Sequence, residues 1–235
     1  MGARCNNGVV LVADRKTVNA ATGDYGFEAK LIPFGKPIIV IYGAAGVQAF
    51  YESFRNRVRA KLLRIKEMSW EEFRIVLEES YEDMARIYGR ELRSGLSVLI
   101  AQRPSITSQL WLISGFGAPQ RIKKFAAIGS GEPYGSFYLK RYWNEKLSMI
   151  EAADIGYFAI KYIERFGLDN FVGVGDGRPQ VWLIPDNRSK KHPSRDYSIR
   201  RPSREEILRL ESSANRRLTV LKQDLADFWT RPPED

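Results

Sequence analysis

Asp14 and Lys30 are the residues of this chain best placed to act together. Asp14 closes the apolar run Gly8-Val9-Val10-Leu11-Val12-Ala13, and Lys30 opens a second one, Leu31-Ile32-Pro33-Phe34. A carboxylate and an ammonium at the ends of adjacent strands form a partly buried ion pair that orders a sheet, and neither is a nucleophile. The residue types that usually supply one are scarce. Cys5 is the single cysteine, which excludes an internal disulfide and any multi-cysteine metal site. Its place just before Asn6-Asn7-Gly8 suits a small side chain filling a strand position. The single histidine, His192, lies in a polar loop between Lys190-Lys191 and Pro193-Ser194-Arg195, so a serine or cysteine activated by histidine is not expected. Gly129, Gly131 and Gly135 miss the spacing of a dinucleotide-binding loop. No cofactor and no metal is expected.

Composition sets the outer bounds. The chain has 235 residues, 44% hydrophobic and 28% charged, enough for one sizeable globular domain with an extension. No run of about 18 apolar residues exists and the start lacks the pattern of a signal peptide, so no membrane partner is expected and a cytoplasmic location is. Asn6 stands where a myristoylation signal needs Ser or Thr. A net charge of +9 raises nucleic acid as a partner, but the charge is spread over several segments and no nucleic-acid motif accompanies it. Nucleic acid is therefore not the expected ligand. Arg55, Arg57, Arg59, Lys61, Arg64 and Lys66 form the densest run, with Val58, Leu62 and Ile65 as the buried stripe of the same helix.

The elements that must position Asp14 and Lys30 follow from periodicity. After the opening strands, Gly43-Ala44-Ala45-Gly46 is expected to break the sheet, and Val47, Phe50, Tyr51, Phe54, Val58, Leu62 and Ile65 recur at helical spacing. Ser69 and Glu72 form a capping box for a second helix carrying Phe73, Val76, Leu77, Tyr81, Met84 and Tyr88, with Gly89 and Gly95 bracketing its exit. Strands are expected from Leu96 to Ala101, Gln109 to Ser114 and Lys124 to Ile128. Two further helices carry Phe137, Tyr138, Leu139, Tyr142 and Trp143, then Ile155, Phe158, Ala159, Tyr162 and Ile163 behind a capping box from Ser148 to Glu151. The glycine-rich passage from Gly173 to Gly177 leads to a last strand, Gln180 to Ile184. Helices arriving in pairs between blocks of strands predict an α+β fold, two stacked antiparallel sheets with helices outside.

Residues 1–185 hold this pattern. A basic, polar linker is expected over 186–203, and residues 204–235 form a helical extension. The extension opens with a third capping box, Ser203 to Glu206, and its stripe is Ile207, Leu210, Ala214, Leu218, Leu221, Leu225 and Phe228.

Four motifs in this order resemble a proteasome β-type subunit of the N-terminal nucleophile hydrolase family. They are the turn Asn6-Asn7-Gly8 with Ala13-Asp14, the lysine Lys30, the passage Ile41-Tyr42-Gly43-Ala44-Ala45-Gly46, and the turn Ala127-Ile128-Gly129-Ser130-Gly131-Glu132-Pro133-Tyr134. The resemblance covers roughly residues 1–185 and implies a four-layer αββα sandwich, assembly into a homo- or hetero-oligomeric ring of similar subunits, and a polypeptide substrate where the subunit is active. In that family a threonine hydroxyl at the first residue attacks the peptide, and its own α-amine accepts the proton. The resemblance gives Lys30 the lysine that favours the alkoxide, Asp14 the carboxylate that holds the lysine charged, and Gly43 the oxyanion-binding N–H. It gives Ser130 the serine near the terminal amine, although Gly-Ser-Gly also satisfies a corner by itself. Lys16 stands where the family has arginine. Asp169 is the candidate for the family's aspartate near that serine, and the serine that follows it has no clear counterpart.

The family's spacing places the threonine about three residues before Met1, so the nucleophile is not in the chain as written. Three functions follow. The first is a subunit with threonine-type endopeptidase ancestry, active where an upstream threonine exists. The second is a non-catalytic assembly or scaffold subunit of such a particle. The third is a basic binding protein on the same sandwich. The long extension departs from a typical β-type subunit.

Overall fold

A computed structural model describes residues 1–18, 25–27, 29–34, 40–62, 69–103, 107–115, 117–166, 178–186 and 199–230. The chain opens with a hairpin, β1 (Gly2–Cys5) and β2 (Gly8–Ala13), paired antiparallel with Gly2 opposite Leu11 and Cys5 opposite Gly8. Asn6 and Asn7 make the turn and fasten it in space: Asn6 Nδ2 donates to Lys146 O at 2.7 Å, and Asn7 Oδ1 accepts the Met149 N–H at 3.0 Å. β10 (Phe125–Ala126) flanks β1 and β11 (Gln180–Pro185) flanks β2, which completes the first sheet in the order β10-β1-β2-β11. The second sheet runs β5 (Leu31–Phe34), β6 (Val40–Gly46), β7 (Leu96–Gln102), β8 (Gln109–Ile113), β9 (Gln120–Ile122), every neighbour antiparallel. A separate ribbon pairs β3 (Lys16–Val18) with β4 (Tyr25–Phe27).

The two sheets stack, and β2 shows why its sequence is apolar throughout. Val9 and Leu11 pack against Leu99, Ala101 and Leu110 of the second sheet, while Val10 and Val12 point the other way into the helical layer. A strand covered on both faces cannot alternate apolar with polar residues. On the outside of the second sheet lie α1 (Gln48–Leu62) and α2 (Trp70–Tyr88), with the short α3 (Arg90–Gly95). They bury Phe50, Phe54, Val58, Phe73, Leu77 and Met84 against Val98, Ile100 and Ile113. On the outside of the first sheet lie α4 (Glu132–Tyr142) and α5 (Met149–Phe166). The architecture is the four-layer αββα sandwich that the order of elements predicts.

All three capping boxes form: Ser69 with Glu72, Ser148 with Glu151, and Ser203 with Glu206. Each satisfies two N–H groups that a helix start leaves open, worth about 1 kcal/mol. The third starts α6 (Arg204–Thr230), which lies along α5 with Leu210 and Ala214 buried and Ile207, Leu218 and Leu221 half-buried. Arg217 pairs with Asp154 and sits over the Phe158 ring, 5.6 Å from its centre. The approach to α6 is stitched to β11, where Leu183 and Arg200 exchange backbone hydrogen bonds of 2.8 and 3.1 Å.

Several details differ from expectation. Gly43-Ala44-Ala45-Gly46 does not break the sheet; β6 runs through it, paired with β7 as far as Gly46 opposite Leu96. The glycines there permit close approach, because a Cβ on Gly46 would collide with the Gly95 carbonyl. Phe137 and Tyr142 are 58% and 48% exposed, since α4 turns Gly135, Tyr138 and Leu139 inward instead. Val47 precedes α1 and is exposed. The glycine-rich passage 173–177, Asp169, Ile65, Arg64, Lys66, most of the linker with His192, and the side chains of Leu225 and Phe228 lie outside the described residues.

Candidate functional site

At the end of β2 away from the hairpin turn, the chain leaves the first sheet at Asp14 and re-enters the second at Lys30. The two side chains meet between the sheets: Lys30 Nζ donates to Asp14 Oδ1 at 2.9 Å and to Oδ2 at 2.8 Å. The pair is enclosed on most sides, with 25% of the Lys30 side chain and 19% of the Asp14 side chain exposed. Each partner is also held through backbone groups. Asp14 Oδ2 accepts the Lys16 N–H at 3.0 Å, a short local turn that fixes the carboxylate. The Lys30 N–H donates to Gln180 Oε1 at 2.7 Å, and the Leu31 N–H to the same oxygen at 3.1 Å.

The start of β1 lies beside this pair. The Met1 α-amine donates to Val12 O at 2.8 Å, and the Met1 side chain packs over Gly135 of α4. Burial pushes that amine down to about 6; the Asp14 charge opposes the shift and the Lys30 charge adds to it. An amine held here is therefore largely a free base at neutral pH, able to accept a proton. Gly43 lies directly opposite Leu31 in the β5–β6 ladder, and a Cβ built on it would press on the Leu31 side chain and come within 3.6 Å of Lys30 O. The structure thus brings the Gly43 backbone beside that of Lys30.

The other expected residues fall less centrally. Ser130 is exposed in the corner between β10 and α4, a corner held against β6: a Cβ on Gly129 would touch the Ala45 Cβ at 3.2 Å. Lys16 contributes its backbone N–H to Asp14 and opens β3 opposite Phe27. Asp169 is outside the described residues. Sequence reasoning missed Gln180, and one signal for it existed. It is the polar first residue of an otherwise apolar strand, opposite Ala13 and thus next to Asp14.

Among the described residues, no group of three or more His, Cys, Asp or Glu side chains could hold a metal ion, and no helix is long and apolar enough to cross a membrane. What the described residues bring together is a lysine held by a carboxylate, with the Gly43 backbone beside that of Lys30. Such a pair suits the activation of a nearby nucleophile.

The proteasome subunit family model matches residues 1–171. No curated protein sequence matches the chain. Among solved structures, the Gly-1 mutant of Anbu from Hyphomicrobium sp. strain MC1 superposes with a TM-score of 0.74 at 17% identity, covering 100% of this chain and 97% of that one. Anbu, the ancestral β-subunit, from Yersinia bercovieri gives 0.74 at 16% identity, covering 100% and 98%. A helical assembly of the Anbu complex from Pseudomonas aeruginosa gives 0.72 at 17%, covering 99% and 97%. These likenesses extend over α6, beyond the matched span.

Proposed function

The chain belongs to the proteasome subunit family, and from that premise we propose that it is a subunit of an oligomeric, Anbu-like proteasome-type particle whose centre for threonine-type endopeptidase chemistry is built on Asp14 and Lys30. The observation that carries the reading is the 2.8–2.9 Å contact of Lys30 Nζ with both Asp14 oxygens at the open end of the β1–β2 hairpin. Register supports it. Gly2 pairs with Leu11 and Ala3 with Val10, so partners sum to thirteen, and a residue three before Met1 in a continued ladder would face Arg15, next to Asp14. A threonine there would lie within reach of Lys30.

In this reading the threonine hydroxyl adds to the scissile carbonyl while its proton passes to the free α-amine. The oxyanion is received at the Gly43 N–H, and the amine returns the proton to the leaving nitrogen as the peptide bond breaks. Water then hydrolyses the ester. The particle acts in the cytoplasm on polypeptide, with no cofactor. Asp169 and Ser130 are proposed to flank the amine.

A second reading has an observation of its own. Asp14, Lys30, the Lys16 N–H and Gln180 knit the ends of strands in two sheets together without any nucleophile, which suits a non-catalytic assembly subunit. Intact mass and N-terminal sequencing of the native protein, followed by treatment with a β-lactone or epoxyketone electrophile, separate the two. An N-terminal threonine carrying the adduct supports the peptidase; a native start at Met1 or Gly2 with no adduct overturns it in favour of the assembly subunit.

A further inference from the structure

Lys30 and Asp14 belong to different sheets, and no strand ladder sets one relative to the other. Asp14 follows β2 of the first sheet; Lys30 precedes β5 of the second. A lysine stem has several freely rotating bonds, so the place of its ammonium depends on where its backbone is anchored. That anchor comes from β11. Gln180 is paired with Ala13, immediately before Asp14, and its side chain crosses the seam to accept the N–H groups of Lys30 and Leu31 at 2.7 and 3.1 Å. One amide oxygen has two lone pairs, and both are used.

Gln180 therefore links the two halves of the pair, through Ala13 beside Asp14 in the β2 ladder and through the backbone N–H groups of Lys30 and Leu31. The buried Pro179 before it fixes the direction from which the strand enters. We propose that Gln180 is a positioning residue of this site, whose side-chain oxygen sets the backbone of Lys30 so that its ammonium lies between the two oxygens of Asp14. The inference rests on reading Asp14 and Lys30 as the functional pair. Gln180 makes no contact with a substrate in this role; it acts through Lys30.

The test uses the full chain in its native assembly and reads the lysine itself. Competitive acylation with limiting acetic anhydride, followed by mass spectrometry, gives the reactivity of Lys30 relative to the exposed Lys140. Deuterium exchange gives the protection of the Lys30 and Leu31 amides. Gln180→Met keeps the length of the side chain and removes the strong acceptor. It is expected to raise both the relative reactivity of Lys30 and the exchange of the two amides about tenfold. Gln180→Glu, which restores an acceptor of the same reach, is expected to return both toward the wild-type values. If Gln180→Met fails to fold, Gln180→Asn, one methylene too short to reach, is read in the same way.

Unchanged Lys30 reactivity in the folded Met or Asn variant overturns the inference. So does faster amide exchange with Lys30 reactivity left at the wild-type value, because the oxygen would then order β5 without placing the ammonium. Asp14→Asn is the separate control on the pair. If it leaves Lys30 as unreactive as in the wild type, the pair itself is not what holds the ammonium, whatever position 180 does.

Discussion

Gly46 and Gly95 face each other where β6 ends and α3 gives way to β7: the Gly95 carbonyl accepts the Val47 N–H at 2.8 Å and occupies the space a Cβ on Gly46 would need. Gly46 also has φ +117, in the region that disfavours side chains. Two costs coincide there, backbone strain and collision with another backbone segment. Gly46→Ala is expected to destabilise by about 3 kcal/mol. Gly89 has φ +56 and ψ −131, also outside the region side chains favour, but open space around it, so Gly89→Ala carries backbone strain alone and is expected to cost about 2 kcal/mol. Urea midpoints at one subunit concentration check the ranking, and equal losses would show that the Gly46–Gly95 approach is not tight.

At the opposite end of β2 lies a second ion pair, of a different kind. The Asp186 side chain is 1% exposed; its Oδ2 accepts from Arg4 at 2.7 Å and its Oδ1 from the Ser108 N–H at 2.7 Å. Removing the carboxylate strands a guanidinium and a buried N–H together. Asp186→Ala is expected to cost about 3 kcal/mol. Lys61, which bridges α1 to Glu79 and Asp83 of α2 at the surface, makes the contrast: Lys61→Ala is expected to cost under about 1 kcal/mol. Chemical denaturation of both variants reads the difference directly.

How far the sequence told this in advance depends on how local each signal is. The continuous apolar run of β2, the three capping boxes and the buried stripe of α2 are written within a few residues, and the structure follows them. The Asp14–Lys30 pair was legible because Asp14 closes one clear apolar run and Lys30 opens another. Gly43 to Gly46 misled, because glycine near a helix start reads as a breaker, whereas here Leu31 and Gly95 dictate the absence of side chains from elsewhere in the chain. β3, β4 and β9 have three residues each, too few to show a period. Gln180 showed only as a polar residue opening an apolar strand. Its role exists only once the two sheets are stacked.

The start of α6 carries a pH dependence. Arg200 donates to both oxygens of Glu206 at 2.6 and 2.9 Å, and this ion pair, aided by the Ser203 backbone N–H, draws the carboxyl down to about 2 from an ordinary 4.5. A carboxyl depressed in the folded state contributes stability that is full above its unfolded value and fades as pH falls toward the folded one. The contribution is therefore present above about pH 4.5 and gone near pH 2. Glu206→Gln keeps the capping geometry and removes the charge. The stability gap between wild type and this variant is expected to be constant from pH 5 to 7 and to close between about 4.5 and 2, as melting curves across that range would show. A gap that persists unchanged at pH 2 would mean the charge contributes nothing to holding α6.

Lys30 itself gives the sharpest test of the proposed chemistry. If its ammonium favours the alkoxide of an N-terminal threonine, the charge must sit at one point, held by Asp14. Lys30→Met removes it, and hydrolysis of a fluorogenic peptide by the native particle is expected to fall by about 10²–10³. Lys30→Arg keeps the charge but spreads it over a planar fork that Asp14 would grip with two bonds, turning it from the nucleophile. Arginine is therefore expected not to rescue. Asp14→Asn leaves the lysine in place without its partner and is expected to fall between the wild type and Lys30→Met. The ordering separates the two readings of the pair, because a purely architectural ion pair would lose stability in all three variants while any hydrolysis kept its rate per folded subunit.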